Sequence, residues 1–235
     1  MENSGFLLIH KPAGMTSHDV VDAVRRITGE RRVGHAGTLD PFATGLLIVG
    51  VGRAATSRLS EFVGLDKVYE ATFVLGATST TDDPEGEITP ANNPPLLSPE
   101  GLGVVMQSFL GDIEQIPPQY AAIKIKGKKM YELAREGKTI EAKPRQVHIE
   151  SFELLSPLPS TYQFPLSIQV RIHCGSGTYI RAIARDLGEK LGVGGYVSEL
   201  RRTAIGRLSV QDASLIEALE RGDWHKSLRN LGVEE

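Results

Sequence analysis

With a single cysteine, Cys174, in 235 residues, the chain has no partner for an intramolecular disulfide and no second thiol for a metal cluster. A reducing compartment, the cytoplasm, is the expectation. Long hydrophobic runs are also lacking. The N-terminal apolar stretch covers only residues 6–9, far short of a signal-sequence core or a membrane span, so neither export nor an anchor is expected. The histidines at 10, 18, 35, 148, 173 and 225 are scattered and form no HExxH-like pair, so no metal site is expected. No GxGxxG follows the first apolar run and no GxxxxGK[ST] loop occurs, which removes the commonest dinucleotide and nucleotide readings. An excess of positive charge is missing too: the net charge of −3 excludes a uniformly basic nucleic-acid binder.

What is present suits a folded protein. Apolar residues make up 40% and charged residues 23%, which is ordinary for a globular chain, and the length allows a sizeable core without disulfides or metals. The charge is unevenly spread. From Lys124 to Arg145 the cations Lys126, Lys128, Lys129, Arg135, Lys138 and Lys143 face only Glu132, Glu136 and Glu141. Smaller basic groups stand at Arg25-Arg26, Arg31-Arg32 and Arg201-Arg202. Such runs are most often solvated faces.

Hydrophobic periodicity gives the elements. Residues 5–10 read as a buried strand that ends at Lys11-Pro12. Thr16 and Asp19 have capping-box spacing before the stripe Val20, Val21, Val24 and Ile27, and Gly29 stops that helix. Residues 33–44 read as a glycine-rich loop leading into a central strand over 46–51, and 54–62 as one helix. Residues 67–75 alternate as a half-buried strand, with Tyr69, Ala71, Phe73 and Leu75 on one face. A long surface loop over 76–95 precedes a helix opened by Ser98-Pro99-Glu100. Beyond it come an extended 120–125, a short helix over 129–135, strands at 147–155 and 164–173, a helix over 178–191, a strand at 200–208 and a helix at 214–221. This irregular interleaving favours an α+β fold with a mixed, largely antiparallel central sheet flanked by helices, in one domain over residues 1–235.

Chemistry concentrates between Gly34 and Gly45. The glycines there permit close backbone approach, while His35 and Asp40 supply reactive groups, so Gly37 and Thr38 could lie against a bound substrate. An ordinary aspartate, with a pKa of about 3.9, is ionised at neutral pH and can act as nucleophile or base. Taken alone, Asp40-Pro41 equally fits a turn begun by an Asx bond. Arg181, after the turn at residues 175–177, could hold such a carboxylate charged and oriented, or could be a surface cation. Cys174 and His173 are strand neighbours that face opposite ways, which disfavours a nucleophile pair.

Six blocks then coincide with one family: GFLLIHKPAGMTSHDVV, VGHAGTLDPFATGLLIVGVGRAATSRL, KVYEATFVLG, PPQYAAIKIKGKKMYELAREG, CGSGTYIRAIARDLGEKLG and YVSELRRTAIG. In order and spacing they resemble the bacterial tRNA pseudouridine synthase B family over nearly the whole chain. The resemblance implies the pseudouridine synthase fold and a cofactor-free isomerase acting on uridine 55 in the TΨC loop of tRNA. It implies Asp40 as the catalytic carboxylate, attacking either uracil C6 or ribose C1′. Tyr69 would stack on the flipped base and assist proton removal from C5, and Arg181 would pair with the aspartate. Tyr179 and Leu200 would touch the substrate, and His35 would sit near the gap left by the extruded base. Lys11 and an insertion over residues 118–146, with Lys124, Lys126, Lys128 and Lys129, would grip the T-arm, and Arg201 and Arg202 would meet RNA backbone. A PUA-type C-terminal RNA-binding domain would be absent. The expected partner is tRNA alone, bound by a monomer without a membrane or an obligate protein partner. The alternatives are a guide-RNA-dependent synthase subunit and a tRNA-folding chaperone whose catalysis is dispensable. Neutralising Lys126, Lys128 and Lys129 together should weaken tRNA binding and flatten its salt dependence, read as the slope of log K against log salt; an unchanged slope would mean a merely solvated segment.

Overall fold

The computed structural model describes residues 4–119, 124–125, 128–129, 142–159 and 162–232. The chain divides into two compact units, residues 1–70 with 200–235, and residues 71–199. The fold is α+β, with a mixed sheet whose hydrogen-bonded order is β1-β3-β12-β4-β11-β10-β7. These strands are β1 (Gly5–Lys11), β3 (Thr44–Val51), β12 (Gly195–Ile205), β4 (Lys67–Leu75), β11 (Leu166–Cys174), β10 (Arg145–Leu154) and β7 (Gly111–Gln115). β2 (Val33–Ala36) adds to β3 and β13 (Leu208–Ser209) to β12.

In the first unit the near-continuous apolar runs of β1 and β3 follow from burial on both faces. Leu7, Ile9, Leu47, Val49 and Val51 pack with Val20, Val21 and Val24 of α1 (Ser17–Thr28) and with Ile216 and Leu219 of α6 (Ile216–Arg221). The alternate residues Phe6, Leu8, Leu46 and Ile48 pack with Phe62, Ala55 and Ile205. α1 begins as its sequence suggests: Thr16 caps Asp19 N–H, the Asp19 carboxylate answers Thr16 N–H at 2.8 Å, and Gly29 closes the helix with a left-handed φ of 69°.

β3 runs antiparallel to β1 along its length and shares its other edge between two partners. Thr44 and Gly45 pair in parallel with Arg201 and Arg202 of β12, while Ile48 to Val51 pair antiparallel with β2. The first residues of the expected 33–44 loop are therefore a strand. Their composition is poor for one, and pairing with a buried neighbour overrides it. The single helix expected over 54–62 is two short helices, α2 (Gly52–Thr56) and α3 (Leu59–Val63).

In the second unit, β11 alternates buried and exposed residues and pairs antiparallel with β10, which pairs antiparallel with β7. Phe152 meets Phe73 and Phe109 edge to face, each at 6.0 Å. α4 (Pro99–Gln107) carries Pro at its first turn and the predicted Ser98 cap. The 76–95 loop contains a small hairpin of β5 (Ala77–Ser79) and β6 (Ile88–Pro90), and β12 starts five residues before the expected 200. The strand at 111–115 has no sequence-based counterpart, because its polar residues Asp112 and Glu114 show no strong apolar alternation. β8 (Lys124–Ile125) and β9 (Lys128–Lys129) pair antiparallel, which replaces the start of the helix expected over 129–135; its remainder lies outside the described residues.

His148 on β10 stands between Asp112 at 2.8 Å and Glu150 at 3.4 Å. The hydrogen bond to Asp112, then that to Glu150, raises its pKa above the ordinary 6.5. The stabilising contribution is therefore present below the ordinary value and is lost as pH rises through the raised one. NMR titration should place the His148 midpoint above that of a histidine in a short peptide, and Asp112→Asn should bring it down. A midpoint unmoved by Asp112→Asn would contradict the pairing.

Candidate active site

The segment between β2 and β3 holds Asp40 in the first unit, and it is fastened at nearly every residue. Arg202 is 1% exposed; its Nε donates to Leu46 O at 2.8 Å and an η nitrogen donates to Gly37 O at 2.9 Å. The guanidinium thus fills the fork where β12 and β2 part along β3. Ser17 Oγ accepts Leu39 N–H at 2.9 Å and donates to Leu39 O at 3.2 Å. Pro41 O accepts both Gly14 N–H at 2.9 Å and Lys11 Nζ at 3.1 Å. Ala43 N–H turns back onto Asp40 O, and Thr44 Oγ1 donates to Leu200 O at 3.4 Å.

Two glycines make this route possible. Gly37 has φ 75°, and Gly45 has φ 107° with the Arg202 backbone lying where a Cβ would stand. Any side chain at Gly45 would meet β12. Leu39 and Ala43 are buried while Thr38 is exposed and Asp40 half-buried. Asp40 is therefore carried on a segment whose flanks are packed, which is the preorganisation a reacting group needs.

Lys11 and Arg202 depart from the surface role expected of them. Lys11 is 0% exposed, and its ammonium donates to Pro12 O, Met15 O and Pro41 O at 2.6 to 3.1 Å. An ammonium with its three donors so directed, and a guanidinium enclosed by the strand fork, fasten the loop and do not reach RNA phosphates. Lys67 does the same for the turn before β4, donating to Val63 O and Leu65 O. Arg201, next to Arg202, is exposed.

His35 sits on β2 opposite Val49, half-buried, with Nδ1 buried and lacking a hydrogen-bond partner. Burial, and then the charges of Arg202 and His18, lower its pKa. The imidazole is neutral at neutral pH, which suits a flat stacking surface better than a phosphate-binding cation. Tyr69 is 8% exposed on β4, on the buried face with Ala71 and Phe73. Leu200 is buried beside the Thr44 end of the loop.

In the second unit, Arg181 opens α5 (Ile180–Lys190) and is 3% exposed. An η nitrogen donates to the Asp83 carboxylate at 2.8 Å and to Thr81 O at 3.1 Å. One turn later Arg185 bonds Asp82 at 3.0 Å, Asp186 at 2.8 Å and Ile116 O at 2.8 Å. Consecutive aspartates of the 79–87 turn thus meet arginines four apart on one helix face. Burial raises the pKa of both Asp82 and Asp186 against the pull of Arg185. Tyr179 is half-buried, and its backbone N–H and C=O are both taken by the side-chain amide of Gln115, itself 1% exposed, at 2.8 and 3.0 Å.

Asp83, Asp82, Arg185 and Gln115 were not singled out from sequence. The only available signal was the Arg181 to Arg185 spacing together with the Asp82-Asp83-Pro84 run of the 76–95 loop. β8 and β9 place Lys124 opposite Lys129 and Ile125 opposite Lys128, while Lys126 lies outside the described residues. Among the described residues no group of three or more His, Cys, Asp or Glu side chains could hold a metal ion.

Comparison with known proteins gives this geometry its context. A model of the TruB family pseudouridylate synthase N-terminal domain matches residues 25–180, and one of the tRNA pseudouridylate synthase B C-terminal domain matches 181–231. The chain belongs to the TruB family of pseudouridylate synthases. Among TruB relatives, tRNA pseudouridine synthase B of Mycobacterium sp. strain KMS is 47% identical over 215 residues, covering 92% of this chain and 71% of the relative. That of Thermobifida fusca strain YX is 45% identical over 218 residues, covering 92% and 74%. The fold is shared with a chain of a Cbf5-Nop10-Gar1 complex at TM-score 0.72 and 24% identity, over 96% of this chain and 60% of that one. An archaeal box H/ACA Nop10-Cbf5 complex gives a TM-score of 0.66 over 94% of this chain and 53% of the other.

Removing the charge of Asp83 would take a buried carboxylate from the Arg181 guanidinium, a loss worth about 3 kcal/mol. Asp83→Asn should lower unfolding stability by roughly that amount in urea titration; a loss within about 0.5 kcal/mol, typical of an exposed site, would show that the pair is not a buried charge pair.

Proposed function

We propose that this chain isomerises uridine to pseudouridine in tRNA, at position 55 of the TΨC loop, with Asp40 as the catalytic carboxylate. The observation that carries the reading is the fastening of the Asp40 segment by Arg202, Lys11 and Ser17, which leaves the carboxylate half-buried on an immobilised backbone. The names of the TruB relatives support the substrate class.

The reaction breaks the bond from N1 to ribose C1′ and forms one from C5 to C1′, and the proton lost from C5 is balanced by one gained at N1. No electrons leave the substrate, so the isomerisation needs no cofactor. Asp40 supplies the nucleophile, at C6 or at C1′. Tyr69 stacks on the freed base and assists removal of the C5 proton. Arg181, held by Asp83 and Thr81, presents a cation of fixed orientation to the carboxylate chemistry. Extruding the uridine costs a few kcal/mol, and a neutral aromatic such as His35 replacing it in the stack returns about 1 to 3 kcal/mol. Gly37, Thr38, Tyr179 and Leu200 border the substrate, and the T-arm is gripped by the insertion with Lys124, Lys126, Lys128 and Lys129, and by Arg201.

The chain acts on tRNA by itself, as a monomer in the cytoplasm. No helix among the described residues is long and apolar enough to cross a membrane. Its likeness to chains from Cbf5 complexes is one of fold and carries no guide RNA with it.

Purified protein should form pseudouridine in an unmodified tRNA transcript with no guide RNA added, as mapped by base-specific chemistry. Asp40→Asn should abolish the product while leaving tRNA affinity within about tenfold, roughly 1.4 kcal/mol. Wild-type turnover by that variant would overturn the assignment of Asp40, and no product from the unaltered protein would overturn the function.

A further inference from the structure

We propose that Arg26, Arg31, Arg32 and Arg53 form a second RNA-contacting surface, on the first unit, that binds phosphates of the tRNA backbone beside the nucleotides around the extruded uridine. The proposal rests on the tRNA reading above and adds residues that the family resemblance does not assign.

These four arginines are exposed, and the fold gathers them. Arg26 lies in the last turn of α1, whose neighbour Arg25 donates to Val33 O at 3.1 Å. Arg31 and Arg32 immediately precede β2, and Arg32 O accepts the N–H of Gly52, the residue before Arg53, at 2.8 Å. The end of α1, the entry to β2 and the start of α2 therefore meet in one place.

The carboxylates nearby are engaged with other groups. Asp22 pairs with Arg25 at 2.7 Å, Glu61 pairs with Arg58 at 3.0 Å, and Glu30 accepts the backbone N–H of Arg32 at 2.8 Å. Among the described residues, the four proposed side chains enter no ion pair. In a chain of net charge −3, this is a local excess of one sign. All four are arginine, whose planar fork meets a phosphate through two parallel hydrogen bonds.

The position argues for a phosphate backbone over general solvation. His35 is three residues beyond Arg32 on the same stretch, about 10 Å at roughly 3.3 Å per residue. A nucleic-acid strand advances about 3.4 Å per nucleotide along a helix axis. RNA that brings its loop to His35 and Asp40 therefore passes the arginines within a few nucleotides.

The test compares the unaltered protein with the quadruple variant Arg26→Gln, Arg31→Gln, Arg32→Gln and Arg53→Gln, binding an unmodified tRNA transcript across a salt series. A triple variant of exposed cations elsewhere on the unit, Arg207→Gln, Arg221→Gln and Lys226→Gln, serves as control. The quadruple variant should bind at least about tenfold more weakly at low salt. Its slope of log K against log salt should be shallower by about 3 to 4, at roughly 0.7 to 0.9 for each of four phosphates no longer neutralised. The control should keep the unaltered slope. If thermal melting shows the quadruple variant unfolded, the single variants Arg31→Gln and Arg53→Gln are read instead, each expected to lower the slope by roughly 0.7 to 0.9. An unchanged slope, an equal loss in the control, or a loss seen with polyglutamate but not with tRNA would overturn the proposal. The proposed function fails separately, by the absence of pseudouridine from the unaltered protein.

Discussion

The guanidinium of Arg202 lies buried in the fork where the second edge of β3 passes from β12 to β2, hydrogen-bonded to Leu46 O and Gly37 O. A cation taken out of water is tolerated only where dipoles replace its hydration. Here the dipoles are the carbonyls of Leu46 on β3 and of Gly37 just past the end of β2, so the cation and the fork satisfy each other. Lys11 meets the same requirement from the β1 side, through the carbonyls of Pro12, Met15 and Pro41. Between these two charges the chain from Gly37 to Ala43 has little freedom. The position of Asp40 is thus set through its backbone.

The second unit solves a related problem with paired charges. Arg181 and Arg185 project from one face of α5 onto Asp83 and Asp82, and the 79–87 turn is drawn against the helix by both. Asp82 takes a left-handed φ of 61°, unusual for a residue other than glycine and sustained by these surrounding bonds. Gln115 fixes the backbone of Tyr179 immediately before the helix. The orientation of the Arg181 guanidinium is thus fixed by the fold itself.

Among the described residues, two groups of cations stand at opposite extremes, with ion-paired ones such as Arg25, Arg58 and Arg185 between them. Those enclosed in the fold, Lys11, Lys67, Arg181 and Arg202, set the shape of loops and helix ends. Those left on the surface without carboxylate partners, Arg26, Arg31, Arg32 and Arg53, remain available to polyanions. Net charge alone hides this division, since −3 describes a sum and RNA meets a surface.

The local signals in the sequence were sufficient wherever an element is decided by its own residues. Thr16 and Asp19 announce the start of α1 and Gly29 its end, the alternation from Lys67 to Leu75 marks β4, and the apolar runs at 6–9 and 46–51 mark strands covered on both faces. The GHAGTLDPFATGLL block was likewise enough to nominate Asp40 and His35 and to point to the family. Tertiary structure decided what depends on a distant partner. Val33 to Ala36 becomes a strand only because β3 offers an edge, and the polar residues 111–115 only because β10 does. The fates of Lys11 and Arg202 differ from that of exposed Arg201 because the fold brings distant carbonyls onto them, Pro41 O onto Lys11 beside the local Pro12 O and Met15 O, and Leu46 O and Gly37 O onto Arg202. A residue's type states which bonds it can make, and only the folded chain determines which partners stand within reach.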